Sequence, residues 1–264
     1  MSYSRRLAAA QTIPVAGDVG ANVAQHTALA RLAARERAEV VVFPELSLTG
    51  YELALGPALA FSEHDGRLGP LIEVARSASI TLIAGAPIRL ASGLHIGAFV
   101  IAPDGALTIH TKRQLGAFAS EDSDGAPLPP AESTIFTPGT LCPLLSVGAQ
   151  PAVVAICAES LQRWAMKDAA ERGAKAFLTG HFSLPRDRSA RLDGFARFAA
   201  HYAIAVVFAN YGGPTAGLEA SGGSAILSER GELLCQLPAR GAGLAIAREE
   251  ATGWSAHTAL LDTH

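Results

Sequence analysis

Short apolar runs recur along the chain, each followed by a glycine-bearing or polar turn and then by a stretch of helical periodicity. The runs predict strands over Arg6–Gln11, Val40–Pro44, Ile80–Ile88, Ile96–Ala102, Val153–Cys157, Ala176–Thr179, Ile204–Asn210, Ser224–Ser228 and Gly243–Arg248. Several, such as VVVFP, AVVAIC and AIAVVFAN, are continuous rather than alternating, which suits strands buried on both faces. Helices are predicted at 21–37, 67–79, 160–172 and 189–202. In the first, Val23, Leu29, Leu32 and Ala33 form an apolar side while Arg31, Arg35, Glu36 and Arg37 stay solvated. Gly173 stands where a helix C-cap glycine belongs.

Strand–helix alternation of this kind reads as α/β. Two segments differ. The turns PDGA (103–106) and SERGE (228–232) each close a pair of strands into a hairpin, so the sheet architecture is mixed. No composition shift marks a linker, and no repeat is present. One long irregular stretch, Gly116–Gly139, is rich in proline and acidic residues, and loops of that length inside compact domains are usually functional or disordered.

Composition narrows the partners. With 49% hydrophobic and 17% charged residues over 264 positions, the chain has ample material for a core. The net charge is −3 and no basic run exceeds Arg5-Arg6, which argues against nucleic acid as a partner. Cysteines 142, 157 and 235 are too few for a disulfide framework, and their odd number leaves a free thiol, so a reducing, cytoplasmic setting is expected. The N-terminus lacks a signal-type apolar core, and no run approaches the roughly 18 apolar residues of a membrane span, so no membrane partner is expected.

The familiar metal and nucleotide signatures are missing. There is no HxH, HExxH or CxxC, no GxSxG elbow, and no phosphate-binding glycine loop after a strand. What remains is three polar residues at the ends of apolar strands. Glu45 ends VVVFPE, Lys112 ends the second strand of the 96–111 hairpin, and Cys157 ends AVVAIC just before a helix. Sites in α/β sheets form at such ends. A cysteine on a strand-to-helix turn also sits near helix N–H groups that hold an oxyanion. Singly, each has an ordinary reading: a small buried thiol, a solvated loop carboxylate, a surface lysine. Their conjunction is what singles them out. Cys142 and Cys235 lack such flanks and are read as structural.

These flanks resemble the nitrilase superfamily of carbon–nitrogen hydrolases, amidase-like branch. The matching segments are VVFPELSLTGY (Val41–Tyr51), HTKRQL (His110–Leu115) and VVAICAES (Val153–Ser160), followed by FANYGG (Phe208–Gly213) and GGSAILSERGELL (Gly222–Leu234). The resemblance implies a four-layer α-β-β-α sandwich in a single domain, with a core over about residues 5–248 and a short tail at 249–264. It also implies a homodimer or higher homo-oligomer. In the implied chemistry Glu45 is the general base, Cys157 attacks the carbonyl carbon of a small amide to leave a thioester, and Lys112 with the Ala158 N–H holds the oxyanion. No metal or other cofactor is implied. A second family glutamate maps to Glu121, and the pocket wall to Tyr51, His181 and Phe182.

The sequence departs from the family pattern at Gln114, often His, at Ala158, often aromatic, and at SLQRW after Glu159. The chain lacks the C-terminal extension of nitrile-active members, which favours a small linear amide or N-carbamoyl substrate. The alternatives left open are nitrile hydrolysis, acyl transfer through the same thioester, and a catalytically silent scaffold.

Overall fold

The computed structural model describes residues 4–118 and 128–261. The first half of the chain runs β1 (Arg6–Thr12), α1 (Val19–Arg35), β2 (Val40–Val42), α2 (Gly56–Leu59), α3 (Gly69–Ala78), β3 (Thr81–Leu90), β4 (Gly93–Ile101) and β5 (Leu107–Thr111). The second half opens with β6 (Leu144–Val147), β7 (Gln150–Ile156), α4 (Arg163–Glu171), β8 (Ala176–Gly180), α5 (Arg188–Tyr202) and β9 (Ala205–Tyr211). It closes with β10 (Ala225–Leu227), β11 (Leu233–Gln236), β12 (Gly243–Glu250) and β13 (Gly253–Leu260).

The strands form two sheets, ordered β5-β4-β3-β2-β1-β12-β13 and β6-β7-β8-β9-β10-β11. They join where β1 and β9 pair in parallel, Gln11 with Asn210 and Thr12 with Tyr211. Side-chain alternation then sorts the apolar runs into layers. Leu7, Ala9, Val40 and Val42 meet Val154, Ile156, Leu178 and Val207 in the central layer between the sheets. The intervening Ala8, Ala10 and Val41 pack against α1 and α3. On the far side Val153, Ala155, Phe177 and Val206 pack against α4 and α5. The result is the four-layer α-β-β-α sandwich. Both faces of each central strand are covered, which explains why the sequence shows runs rather than alternation.

Each predicted strand and helix has a counterpart, with ends displaced by a few residues. Residues 253–260, set down as tail, form β13, antiparallel to β12. It is an edge strand with little burial, so GWSAHTAL carries no apolar run to betray it. The helix expected from 160 starts at Arg163, because Cys157–Leu161 first make a 3-10 turn. Among the described residues no helix is long and apolar enough to cross a membrane.

Two glycines set where β2 ends. A Cβ at Gly85 in β3 would lie 2.5 Å from Pro44 O and Leu46 N, and one at Gly180 in β8 would lie 2.4 Å from Phe43 O. The two sheets therefore close on the segment Phe43–Leu46 to backbone distance, and Glu45 is held between them. Gly194, inside α5, has no such neighbour. Gly180→Ala is expected to destabilise the fold by about 1–3 kcal/mol through overpacking. Gly194→Ala should stabilise it by about 0.5–1 kcal/mol by removing backbone freedom from the unfolded chain. Urea midpoints moving in opposite directions check this pair, and equal midpoints would contradict the close approach.

Candidate active site

Glu45 is carried on the turn after β2, where the Tyr211 hydroxyl donates to its backbone carbonyl. Its side chain is fully buried. Lys112 follows β5, and its backbone is tied on both sides, Lys112 N to Ile96 O at 2.8 Å and Gly139 N to Lys112 O at 2.8 Å. Its ammonium is also fully buried and reaches Glu45 Oε1 at 2.6 Å. A second carboxylate grips the same nitrogen: both oxygens of Glu132 lie 2.7 Å from Lys112 Nζ.

Glu132 is itself held fast. Its Oε1 accepts from the Tyr51 hydroxyl at 2.6 Å and its Oε2 from Gly116 N at 2.7 Å. The expected second glutamate, Glu121, lies outside the described residues. Among those described, the carboxylate beside Glu45 and Lys112 is Glu132, which sequence reasoning missed. Its one local signal is weak: a Glu that opens a short 3-10 turn after two prolines.

Cys157 leaves β7 with φ +45, a left-handed conformation that side chains other than glycine rarely adopt. That kink turns the thiol away from the strand and into the cavity, where it donates to Phe182 O at 3.6 Å. A second buried ion network fixes the turn from behind. Glu159 accepts from Ile156 N at 3.0 Å, His110 Nε2 at 2.9 Å and Arg113 Nε at 2.5 Å. His110 and Glu159 were also missed, although each stands two residues from a residue already singled out, Lys112 and Cys157.

The cavity at the thiol holds about 260 Å³ and is lined by Tyr51, Phe118, Glu132, Cys157, Ala158, Phe182, Arg186, Asp187 and Arg191, among others. A larger apolar groove of about 660 Å³ between α1 and α3 is lined by no cysteine, histidine or carboxylate among the described residues. Tyr51, Ala158 and Phe182, named from the sequence, line this cavity. His181 does not. It is fully buried behind the turn, with Nε2 2.8 Å from Ser160 Oγ and its ring against Phe195 and Phe208. The reason is parity: adjacent residues of an extended segment point to opposite sides, so Phe182 facing the cavity sends His181 away. Burial also holds its pKa well below the usual histidine value, so it stays neutral.

Burial dominates the electrostatics. It pushes the Glu45 carboxyl up from 4.5 to about 7, with the Glu132 charge adding to the rise while Lys112 and the Cys157 thiol oppose it. The Cys157 thiol is pushed up to about 12 by burial and by Glu45, against the pull of Lys112. For Lys112 burial acts the other way, but the neighbouring charges outweigh it and hold its pKa above the ordinary value. The resting site is therefore a neutral thiol beside a carboxyl that ionises near neutrality. Among the described residues nothing hydrogen-bonds to the buried Glu45 Oε2, which leaves it as the oxygen to take a proton.

A family model described as carbon-nitrogen hydrolase matches residues 6–252. The chain belongs to the carbon-nitrogen hydrolase family. Its fold is similar to that of the NitN amidase from Nesterenkonia sp. AN1, with 26% identity, a TM-score of 0.78, and 92% of this chain and 91% of that chain covered. A mutant of that amidase, 25% identical with a TM-score of 0.78 and 92% of each chain covered, shows Michael addition of acrylamide at its active-site cysteine. Another, also 25% identical with a TM-score of 0.78, covers 92% of this chain and 89% of that one. It shows covalent addition of the acetamide moiety of fluoroacetamide at the same cysteine.

Within this carbon-nitrogen hydrolase, the shifted carboxyl is directly measurable. Because burial disfavours the carboxylate, Glu45 is protonated below about pH 7 and ionised above it. Carbon-13 NMR of glutamate-labelled protein should show one carboxyl titrating near 7 that is lost in Glu45→Gln. In Glu132→Gln it should move to lower pH, since a repelling charge is removed. Titration of every glutamate in the ordinary range would contradict the assignment.

Proposed function

We propose that the chain hydrolyses the C–N bond of a small linear amide through a thioester on Cys157, releasing ammonia. The observation that carries this reading is the buried ammonium of Lys112, clamped by Glu45 and Glu132 beside a thiol presented on a strained turn. A catalytically silent scaffold gives no reason to hold three charges in a dry interior, where unpaired charge is costly. The covalent adducts on the cysteine of the Nesterenkonia amidase support the same chemistry.

In this mechanism Glu45 takes the thiol proton as sulfur attacks the carbonyl carbon. Transfer is concerted with attack, because the thiol is a much weaker acid than the protonated carboxyl. Negative charge gathers on the carbonyl oxygen, which the Lys112 ammonium and the Ala158 N–H stabilise. The tetrahedral species collapses, and the nitrogen leaves as ammonia with the proton from Glu45. Glu45 then deprotonates a water that attacks the thioester, and the proton returns to sulfur as the acid is released. Three free cysteines fit a reducing compartment for an enzyme of this kind.

Cys157→Ala is expected to abolish ammonia release from short aliphatic amides while leaving the thermal midpoint near that of the wild type. In the wild type, kcat/KM should rise with pH through about 7 as Glu45 becomes ionised. Wild-type turnover in Cys157→Ala, or an acid limb at the ordinary carboxylate value, would contradict the reading.

A further inference from the structure

Cys142 carries none of the strand-end flanks that single out Cys157, yet the fold surrounds it with cations. Thr111 N donates to Leu141 O at 2.9 Å, and Leu141 N to Thr111 Oγ1 at 2.9 Å. Pairing 111 with 141 in antiparallel sense sets Cys142 opposite His110. The His110 ring is fully buried, and its Nε2 lies 2.9 Å from Glu159 Oε2. Its Nδ1, also buried, meets no oxygen or nitrogen partner among the described residues and faces the Cys142 sulfur. From α4, Arg172 donates through Nη1 to Cys142 Sγ at 3.2 Å and through Nη2 to Cys142 O at 3.0 Å.

The charges of this cluster do not balance without the sulfur. Asp168 Oδ2 stands 3.5 Å from both Arg113 Nη1 and Arg172 Nη1, and Glu159 holds His110 and Arg113. Burial pushes the His110 pKa down, but Cys142 and Glu159 outweigh it and raise it to about 9, so the ring is a cation at neutrality. His110, Arg113 and Arg172 then face two carboxylates, and a Cys142 thiolate supplies the missing negative charge. Burial pushes the thiol up, yet His110, Arg113 and Arg172 together hold it below the ordinary cysteine value. The sulfur is half-buried and reachable, because Cys142 lines an open groove of about 550 Å³ with Glu63, His64 and Thr108. Nothing in the proposed reaction at Cys157 uses Cys142.

We infer that Cys142 is a second nucleophilic thiol of this chain, a modification site that hydroperoxides oxidise to a sulfenic acid ahead of Cys157 and Cys235. The thiolate sulfur attacks one peroxide oxygen, so an S–O bond forms as the O–O bond breaks. Sulfur loses two electrons, the peroxide gains them, and the hydroxide released takes a proton from solvent and departs as water. The two other thiols are poor competitors. Resting Cys157 is neutral, and Cys235 is pushed up to about 11 by burial while its thiol donates to Ile246 O at 3.3 Å. This inference is independent of which amide, if any, the chain hydrolyses.

The test follows oxidation peptide by peptide. The wild-type protein is treated at pH 7 with hydrogen peroxide in the presence of dimedone, which traps sulfenic acids, and each cysteine peptide is quantified by mass spectrometry. Labelling at Cys142 is expected to be about 10-fold or more faster than at Cys157 or Cys235. Between pH 8 and 6.5 the Cys142 rate should fall by much less than the about 20-fold drop of a thiol with pKa about 8.5. In Arg172→Met the rate at Cys142 should drop severalfold, and Arg172→Lys should restore part of it. Equal labelling of the three cysteines, or Cys157 labelled first, would overturn the inference in the wild type alone. An ordinary pH dependence at Cys142 would overturn the thiolate, and an unchanged rate in Arg172→Met would overturn the role of the cations.

Discussion

The site is organised by one buried ammonium. Lys112 lies in the interior of the sandwich with no solvent of its own, and an isolated charge there would be strongly disfavoured. It is tolerated because Glu45 and Glu132 approach from two sides at hydrogen-bond distance. Removing one partner of such a group typically costs about 3–5 kcal/mol, so the three residues stand or fall together. Each comes from a different part of the chain: the turn after β2, the end of β5, and the segment preceding β6. Their pairing therefore pins one sheet edge, the β2 terminus and the long connection to a common point.

The Cys157 thiol is positioned by a separate ion network. Glu159 draws His110 and Arg113 from the Lys112 side of the site onto the backbone of the Cys157 turn. The left-handed conformation at Cys157 is held by these bonds and by the Ser160 hydroxyl, which donates to Cys157 O at 2.7 Å. Arg113 and His110 flank Lys112 in sequence, so one short segment supplies both the buried ammonium and the clamp on the turn. That arrangement couples the position of the cation to the position of the sulfur.

Much of this was legible in the sequence, for physical reasons. Strands covered on both faces must be apolar throughout, so their ends stand out wherever a charged residue breaks the run. Glu45 and Cys157 were visible for that reason, and Lys112 by its place at the hairpin end. Glu132 was not, because it lies on an irregular connection with no periodicity, and its role is created only when that connection folds back over the β5 end. His181 illustrates the opposite failure. A histidine next to a cavity residue carries the same sequence signal whichever way it points, and only the strand's parity, fixed by packing, sends it behind the turn. The β13 strand escaped notice because an exposed edge needs no apolar pattern.

In the proposed mechanism Lys112, held by two carboxylates, makes the Cys157 thiol competent to form an acyl intermediate. Rapid acid quenching of the protein with propionamide, followed by peptide mass analysis, tests it most directly. An adduct of the amide less ammonia is expected on the peptide carrying Cys157, labile to hydroxylamine and strongly reduced in Lys112→Met. Turnover without an adduct at Cys157 under these conditions, or an adduct forming at the same rate in Lys112→Met, would contradict it.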